Sequence, residues 1–253
     1  DTIERTFDAL FADAYENVDA YVQSANSVEN FLGLERRDRL PVSVVDDIAA
    51  VAGVGDAQGS VQGDAVVITA DGTPLERPTA PTFGATIQSG SLSLWRIVEG
   101  RAPGPDELVL DTITAADAGY EVGDTVKVNA EGGSRDFPLV GLAEFDEIVS
   151  PGNATWALFD EATAEEFIGR PGFVDAVLVA GDGSVPAAQL VENLREAIDP
   201  DVAEVLTSAE ITAQTQSEIE KTLSFLTVFL AVFSFIALGV GMFVIYNVFS
   251  ITA

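Results

Sequence analysis

From Thr222 to Ala253 the chain carries no charged side chain, and its apolar run Leu223–Tyr246 never falls into strand-like alternation. A helix crosses the hydrocarbon core of a bilayer with about 20 apolar residues, so this stretch is predicted to be a transmembrane helix. Lys221 stands at one end, and Tyr246 and Asn247 stand where an interfacial aromatic belongs. Upstream, Thr207-Ser-Ala-Glu210 fits a capping box, with Thr207 accepting from the first turn and Glu210 bonding back. No Gly or Pro interrupts 208–221, and Ile211, Thr215, Ile219 and Leu223 fall roughly on one face. The pattern predicts one continuous helix, with about 14 residues, roughly 21 Å, standing outside the membrane before the span. Gln214, Thr215 and Lys221 on this rod are the candidate mechanical-coupling residues. Ala237 and Gly241 form a small-xxx-small pair, the candidate helix-packing site, although Gly and Ala are common in spans in any case.

Ahead of the rod the periodicity changes repeatedly. Ile3, Phe7, Leu10, Phe11, Ala14 and Val18 recur at helical spacing and predict an amphipathic stalk helix over 1–17. Val18–Gln23 alternates like a strand, and the charged run Glu35–Arg39 is read as a solvated, mobile loop. Pro41 opens a short helix, Val42–Val51, ended by Gly53; strands follow near Val54–Gln62 and Ala65–Thr69, closed by the turn Asp71-Gly72. Pro74–Pro81 marks a boundary. Beyond it the texture is β-rich, with strands at Leu92–Val98, Glu107–Leu110, Thr125–Asn129 and Asp136–Val140. Trp156–Phe159 is read as a strand returning to the first unit. Helix Ala162–Ile168, strand Ala176–Ala180, helix Pro186–Ile198 and strand Val202–Leu206 complete a β-α-β run. The fold class is therefore α+β: an α/β subdomain interrupted by a β-rich insert and joined by a long helix to a span. The segments are 1–17 (stalk), 18–82 and 153–207 (α/β), 83–152 (insert) and 208–253 (rod and span).

Composition narrows the function. All 41 acidic and 12 basic residues lie at or before Lys221, so the net charge of −29 belongs to the part outside the span. Such acidity excludes nucleic acid as a partner and disfavours adhesion to an anionic leaflet. Scarce positive charge puts the large domain on the non-cytoplasmic side by the positive-inside rule, and a further span is expected before Asp1. There is no Cys and no His, which removes thiolate and imidazole metal ligands and any Ser-His-Asp triad. Gly53-Val-Gly55-Asp-Ala-Gln-Gly59 follows a helix and leads into a strand, the reverse of a dinucleotide loop. Asp111, Asp117, Glu121 and Asp124 lack the alternation of a calcium loop and read as turn residues and a helix cap. No catalytic constellation, cofactor site or metal site is expected.

Two stretches carry a family resemblance. Gly100-Arg-Ala-Pro-Gly-Pro-Asp-Glu-Leu-Val-Leu-Asp111, with Ala116–Val128 and Phe137-Pro-Leu-Val-Gly-Leu142, resembles the extracytoplasmic core domain of MacB-like ABC transporter permeases. Phe243-Val-Ile-Tyr-Asn-Val-Phe-Ser-Ile251 is similar to the span that follows this domain in FtsX-like permeases, and the acidic, Ala- and Val-rich texture is similar to actinobacterial members. The resemblance implies a porter-like α/β part with the β-rich insert standing furthest out. It implies a cytoplasmic ABC ATPase on another polypeptide, a second permease protomer or homologous half, and a lipid bilayer around the span. An extracytoplasmic protein or lipidic substrate would be moved or activated outside, with ATP-driven motion passing through the rod. The rival readings are a membrane-anchored binding or sensor module, an adaptor for a cell-wall enzyme, and an anchored hydrolase using carboxylates.

Overall fold

A computed structural model describes residues 17–29, 35–77, 80–145, 154–217, 229–230, 233–238 and 240–243. The stalk expected over 1–17, except for residue 17, and the coupling residue Lys221 lie outside them. The elements run β1 (Ala20–Ser24), β2 (Ser27–Glu29), β3 (Glu35–Arg37), β4 (Leu40–Pro41), α1 (Ser43–Ala49), β5 (Val54–Ser60) and β6 (Gln62–Val67). Then come β7 (Thr82–Thr86), a 3-10 turn (Gly90–Leu92), β8 (Trp95–Gly100), β9 (Leu108–Asp111), α2 (Thr112–Ala118), β10 (Thr125–Ala130) and β11 (Gly133–Phe145). The last are β12 (Thr155–Phe159), α3 (Glu161–Phe167), β13 (Phe173–Val174), β14 (Ala176–Gly181), α4 (Ala187–Ala197) and β15 (Ala203–Leu206), followed by a helix over 208–217.

Two sheets organise these elements. The smaller has the order β15-β1-β14-β5. Its strand β1 pairs antiparallel with both β14 and β15, so β14-α4-β15 is a β-α-β run split by the insertion of β1 between its strands. Strands on either side of the larger sheet's strands in the chain, β1 and β15, thus share one sheet. Ala20 and Val22 point to one face, into the main core with Leu190, Val191 and Leu194 of α4. Tyr21 lies on the opposite face, where Leu92 of the 3-10 turn packs with Val18 and Leu178.

The larger sheet has the order β10-β6-β7-β12-β9-β11-β8, and β10 also pairs with β11. The long strand β11 makes this closure: Gly133–Pro138 pairs with β10, while Leu139–Ala143 pairs with β9. The result is a barrel with β8 hung on its rim. Phe137, Phe159 and Phe167 are fully buried, with ring centroids 4.9 to 5.7 Å apart, an edge-to-face spacing favourable beyond mere burial.

Three expectations are corrected. Trp156–Phe159 does not return to the first unit: β12 pairs parallel with β7 and antiparallel with β9 inside the larger sheet. Its burial explains this, since every residue but Trp156 is buried, and a strand covered on both faces belongs at the centre of a sheet. The strand Ala65–Thr69, read beside Val54–Gln62, also enters the larger sheet as part of β6. The chain crosses between sheets at buried Val61, which exchanges bonds with Thr86 (Thr86 N to Val61 O, 2.9 Å; Val61 N to Thr86 Oγ1, 3.1 Å). Finally, Glu35–Arg37 is a strand paired with Ser27–Glu29, and Arg37 and Arg39 are ion-paired to Glu204 and Asp175. The charges that suggested a solvated loop are held by carboxylates distant in sequence.

Among the described residues no helix is long and apolar enough to cross a membrane. The predicted span lies largely outside them; its described parts, 229–230, 233–238 and 240–243, are helical, and their large apolar side chains are 50 to 75% exposed.

Candidate coupling site

The 208–217 helix starts on the capping box read from the sequence. Glu210 N donates to Thr207 Oγ1 (3.2 Å), and Thr207 N donates to Glu210 Oε2 (2.8 Å). The Thr207 amide holds the Glu210 carboxyl below its ordinary value, and Arg195 of α4, 3.0 Å away, adds to this. Arg195 also donates from Nε and Nη2 to the carbonyl of Val205 (3.2 and 3.0 Å), so one side chain joins α4, the edge strand β15 and the start of the helix.

The helix does not stand free from its first turn. Ser208 Oγ donates to the Val18 carbonyl, and Ile211 is buried. Gln214 Oε1 accepts from Gln23 Nε2 at 3.0 Å, which lays the helix along β1. The same Gln23 amide donates to Glu204 Oε2 of β15 (3.2 Å), and Glu204 Oε2 is 3.0 Å from Arg37 Nη1 of β3, whose Nη1 also donates to the Ser24 carbonyl (2.9 Å). Thr215 Oγ1 donates back to the Ile211 carbonyl (2.9 Å) inside the helix. Of the candidate residues, then, Gln214 bonds to the sheet, while the Thr215 hydroxyl bonds within the helix. Ala237 and Gly241 are helical and exposed, and a Cβ on Gly241 would meet nothing within 4 Å.

Sequence reading missed Gln23, Glu204 and Arg37. The available signal was the alternation in Val18–Gln23, which puts Gln23 on the same face as Tyr21 while the neighbouring Val22 goes to the core. A buried amide there needs partners.

Two cavities flank the smaller sheet. One, about 640 Å³, lies beside β15 and is lined by Ser27, Arg37, Arg195, Ile198, Glu204 and Glu210. The other, about 750 Å³, lies where the chain crosses between sheets, lined by residues such as Tyr21, Arg39, Gln62, Asp64, Phe83 and Glu131. Among the described residues no group of three or more Asp or Glu is placed to hold a metal. Asp111 is the N-cap of α2, accepting from Ile113 N (3.1 Å) and Thr114 N (3.0 Å), as its position before a short helix suggested.

The architecture defines a class: a mixed α+β domain with a split β-α-β sheet carrying a helical exit and a barrel set upon it. That is the fold of the periplasmic region of MacB from Actinobacillus actinomycetemcomitans, which matches 81% of this chain and 97% of its own length with TM-score 0.57 and 13% identity. The extracellular domain of the ABC-type transporter YknZ from Gram-positive bacteria matches 74% of this chain and 98% of its own, with TM-score 0.46 and 12% identity. No family model matches the sequence, and no curated protein matches it.

Proposed function

We propose that this chain is the extracytoplasmic domain and following span of an ABC transporter permease, which couples ATP hydrolysis in the cytoplasm mechanically to export or to activation of a partner outside. The carrying observation is the docked helix: it is fixed to β1 by Gln214 and runs on in sequence, without Gly or Pro, into the charge-free stretch 222–253. The likeness of fold to the MacB periplasmic region supports the same reading. The cytoplasmic ATPase subunit, a second permease protomer and the bilayer are the partners this function requires. The cavity of about 750 Å³ between the sheets is of ligand size, and it favours the alternative, a membrane-anchored binding or sensor module.

The test is to replace Gln214 and Thr215 by Gly-Pro in the full chain, assembled with its ATPase in lipid nanodiscs. Proline at 215 removes a backbone donor and kinks the helix, at a cost of about 3 kcal/mol or more. Spin labels at exposed Val98 of two protomers report the external domains. The unkinked complex shifts its label distance between the nucleotide-free and the ATP-vanadate states, while the kinked one hydrolyses ATP without the shift. An equal shift in the kinked variant would make the helix a tether and favour the binding module. No shift in the unkinked complex would end the coupling reading.

A further inference from the structure

We infer that Gln23, rather than the covalent turn at Thr207, is the point at which motion of the helix enters the sheet, and that Glu204 and Arg37 carry it on to the β2–β3 hairpin. The inference rests on the coupling reading above. A turn such as Leu206-Thr207 joins strand to helix through rotatable backbone bonds, and the chain linkage alone lets the helix swing without moving the strand. Ser208 on the Val18 carbonyl and Arg195 on Glu210 hold the first turn, and Gln23 removes the remaining freedom further along, at Gln214. Gln23 is 5% exposed, and its single NH₂ group donates both to Gln214 on the helix and to Glu204 on the edge strand. Glu204 Oε2 is in turn shared with Arg37 of β3, whose guanidinium also grips the Ser24 carbonyl at the end of β1. Four elements therefore meet through one amide, one carboxylate and one guanidinium. Any displacement of the helix near Gln214 must break this chain or drag β1, β15 and β3 with it.

The alternative is that Gln23 only helps the helix pack, as Ile211 does, and that the turn and the apolar contact transmit the motion. The two differ in what survives when the polar chain is cut but the packing volume is kept. Gln23→Leu and Gln214→Leu remove the bond; Gln214→Glu keeps an acceptor for the Gln23 amide and serves as the conservative control. Amide hydrogen exchange is measured on the full chain assembled with its ATPase in nanodiscs, nucleotide-free and ATP-vanadate trapped.

In the wild type and in Gln214→Glu, trapping changes exchange in 208–217 and also in β15 and β3. In the two Leu variants the change in 208–217 remains while the change in β15 and β3 is lost. Nucleotide-free exchange at 211–217 rises about fivefold to tenfold, the equivalent of one hydrogen bond. If the Leu variants keep the β15 and β3 response, Gln23 is packing only and the inference falls while the coupling reading stands. If the wild type shows no nucleotide response in 208–217, both fall together. Nucleotide-free exchange in β5 and β14 is the control for folding; a Leu variant that loses protection there shows that Gln23 holds the sheet itself together, which also overturns the assignment.

Discussion

Replacing Asp111 by Ala removes the acceptor that ties three elements together. The side chain is fully buried, caps α2 through Ile113 N and Thr114 N, and reaches with its other oxygen to Trp156 N of β12 (3.0 Å). Losing the cap costs about 1 kcal/mol, and the half-buried Trp156 amide, left with only its longer bond to Thr114 Oγ1 (3.3 Å), loses about 0.5–1.5 kcal/mol more. A total of about 1.5–2.5 kcal/mol follows. At the roughly 2–4 °C per kcal/mol expected for a domain of this size, 2 kcal/mol lowers the melting temperature by about 4–8 °C. Burial pushes the Asp111 carboxyl above its ordinary value, against the amide bonds and the Arg77 guanidinium that pull it down. A carboxyl whose folded value is raised contributes stability below the unfolded value and loses it as pH rises through the folded value. Asn at 111 keeps a cap acceptor, meets the Trp156 amide badly, and carries no proton equilibrium. The stability of wild type relative to Asp111→Asn should therefore decline from pH 4 towards neutrality. Both can be followed by urea unfolding of the chain in detergent, read from the fluorescence of its two tryptophans, Trp95 and Trp156. These rings lie 5.4 Å apart on the outer side of the barrel. A loss below about 0.5 kcal/mol in Asp111→Ala would show that the backbone contacts alone hold this junction, and a flat difference with pH would refute the burial argument.

Two further outcomes follow from close contacts. Gly63 faces Gly84 across β6 and β7, and a Cβ on Gly63 would sit 2.5 Å from the Ile168 carbonyl; Gly63→Ala should destabilise by about 1–3 kcal/mol in the same urea assay, and a neutral result would mean that the end of α3 yields. Glu107 grips Arg101 in a two-pronged pair and accepts from Gly104 N, which holds its carboxyl down to about 2; the stabilisation is present above the ordinary carboxylate value and lost as pH falls through the folded value, so a carbon-13 titration should place its midpoint near 2, and a midpoint near 4.5 would show that the pair is open in solution.

Periodicity and end signals were legible because they are local. The capping box at Thr207 and Glu210, the helix α4 and the barrel strands β9, β10 and β12 each write their pattern into neighbouring residues, whereas β7 at Thr82–Thr86 did not read as a strand. Partnership was not legible. Trp156–Phe159 reads as a strand in either sheet, and only its cover on both faces, supplied by residues such as Val109, Ala85 and Phe137, places it at the centre of the barrel. Arg37 failed for the same reason. A run of charge is solvated unless a carboxylate elsewhere in the chain comes to it, and Glu204 does so only once β15 has paired with β1.

Under the proposed coupling, what the helix would move depends on how the two sheets are joined, because a domain that bends at the junction would absorb the displacement. The crossing is bonded on both sides of Val61. Asp175 N donates to the Ser60 carbonyl (2.8 Å), Gln62 N donates to Asp175 Oδ2 (2.7 Å), and Arg39 holds the other carboxylate oxygen (2.9 Å). Across β5, Ser89 N donates to Gln58 Oε1 (2.8 Å), which fixes the loop leading to β8 against the smaller sheet. A Cβ at Gly59 would lie 2.8 Å from Val174 Cγ1 and 2.3 Å from Glu161 Oε1, so the side chain at the start of α3 lies against β5 of the smaller sheet. Three separated contacts of this kind resist both bending and twisting, whereas a single linker would resist neither. On the proposed coupling, a displacement delivered to β1 is accordingly expected to carry the barrel as one body rather than to be lost at the junction.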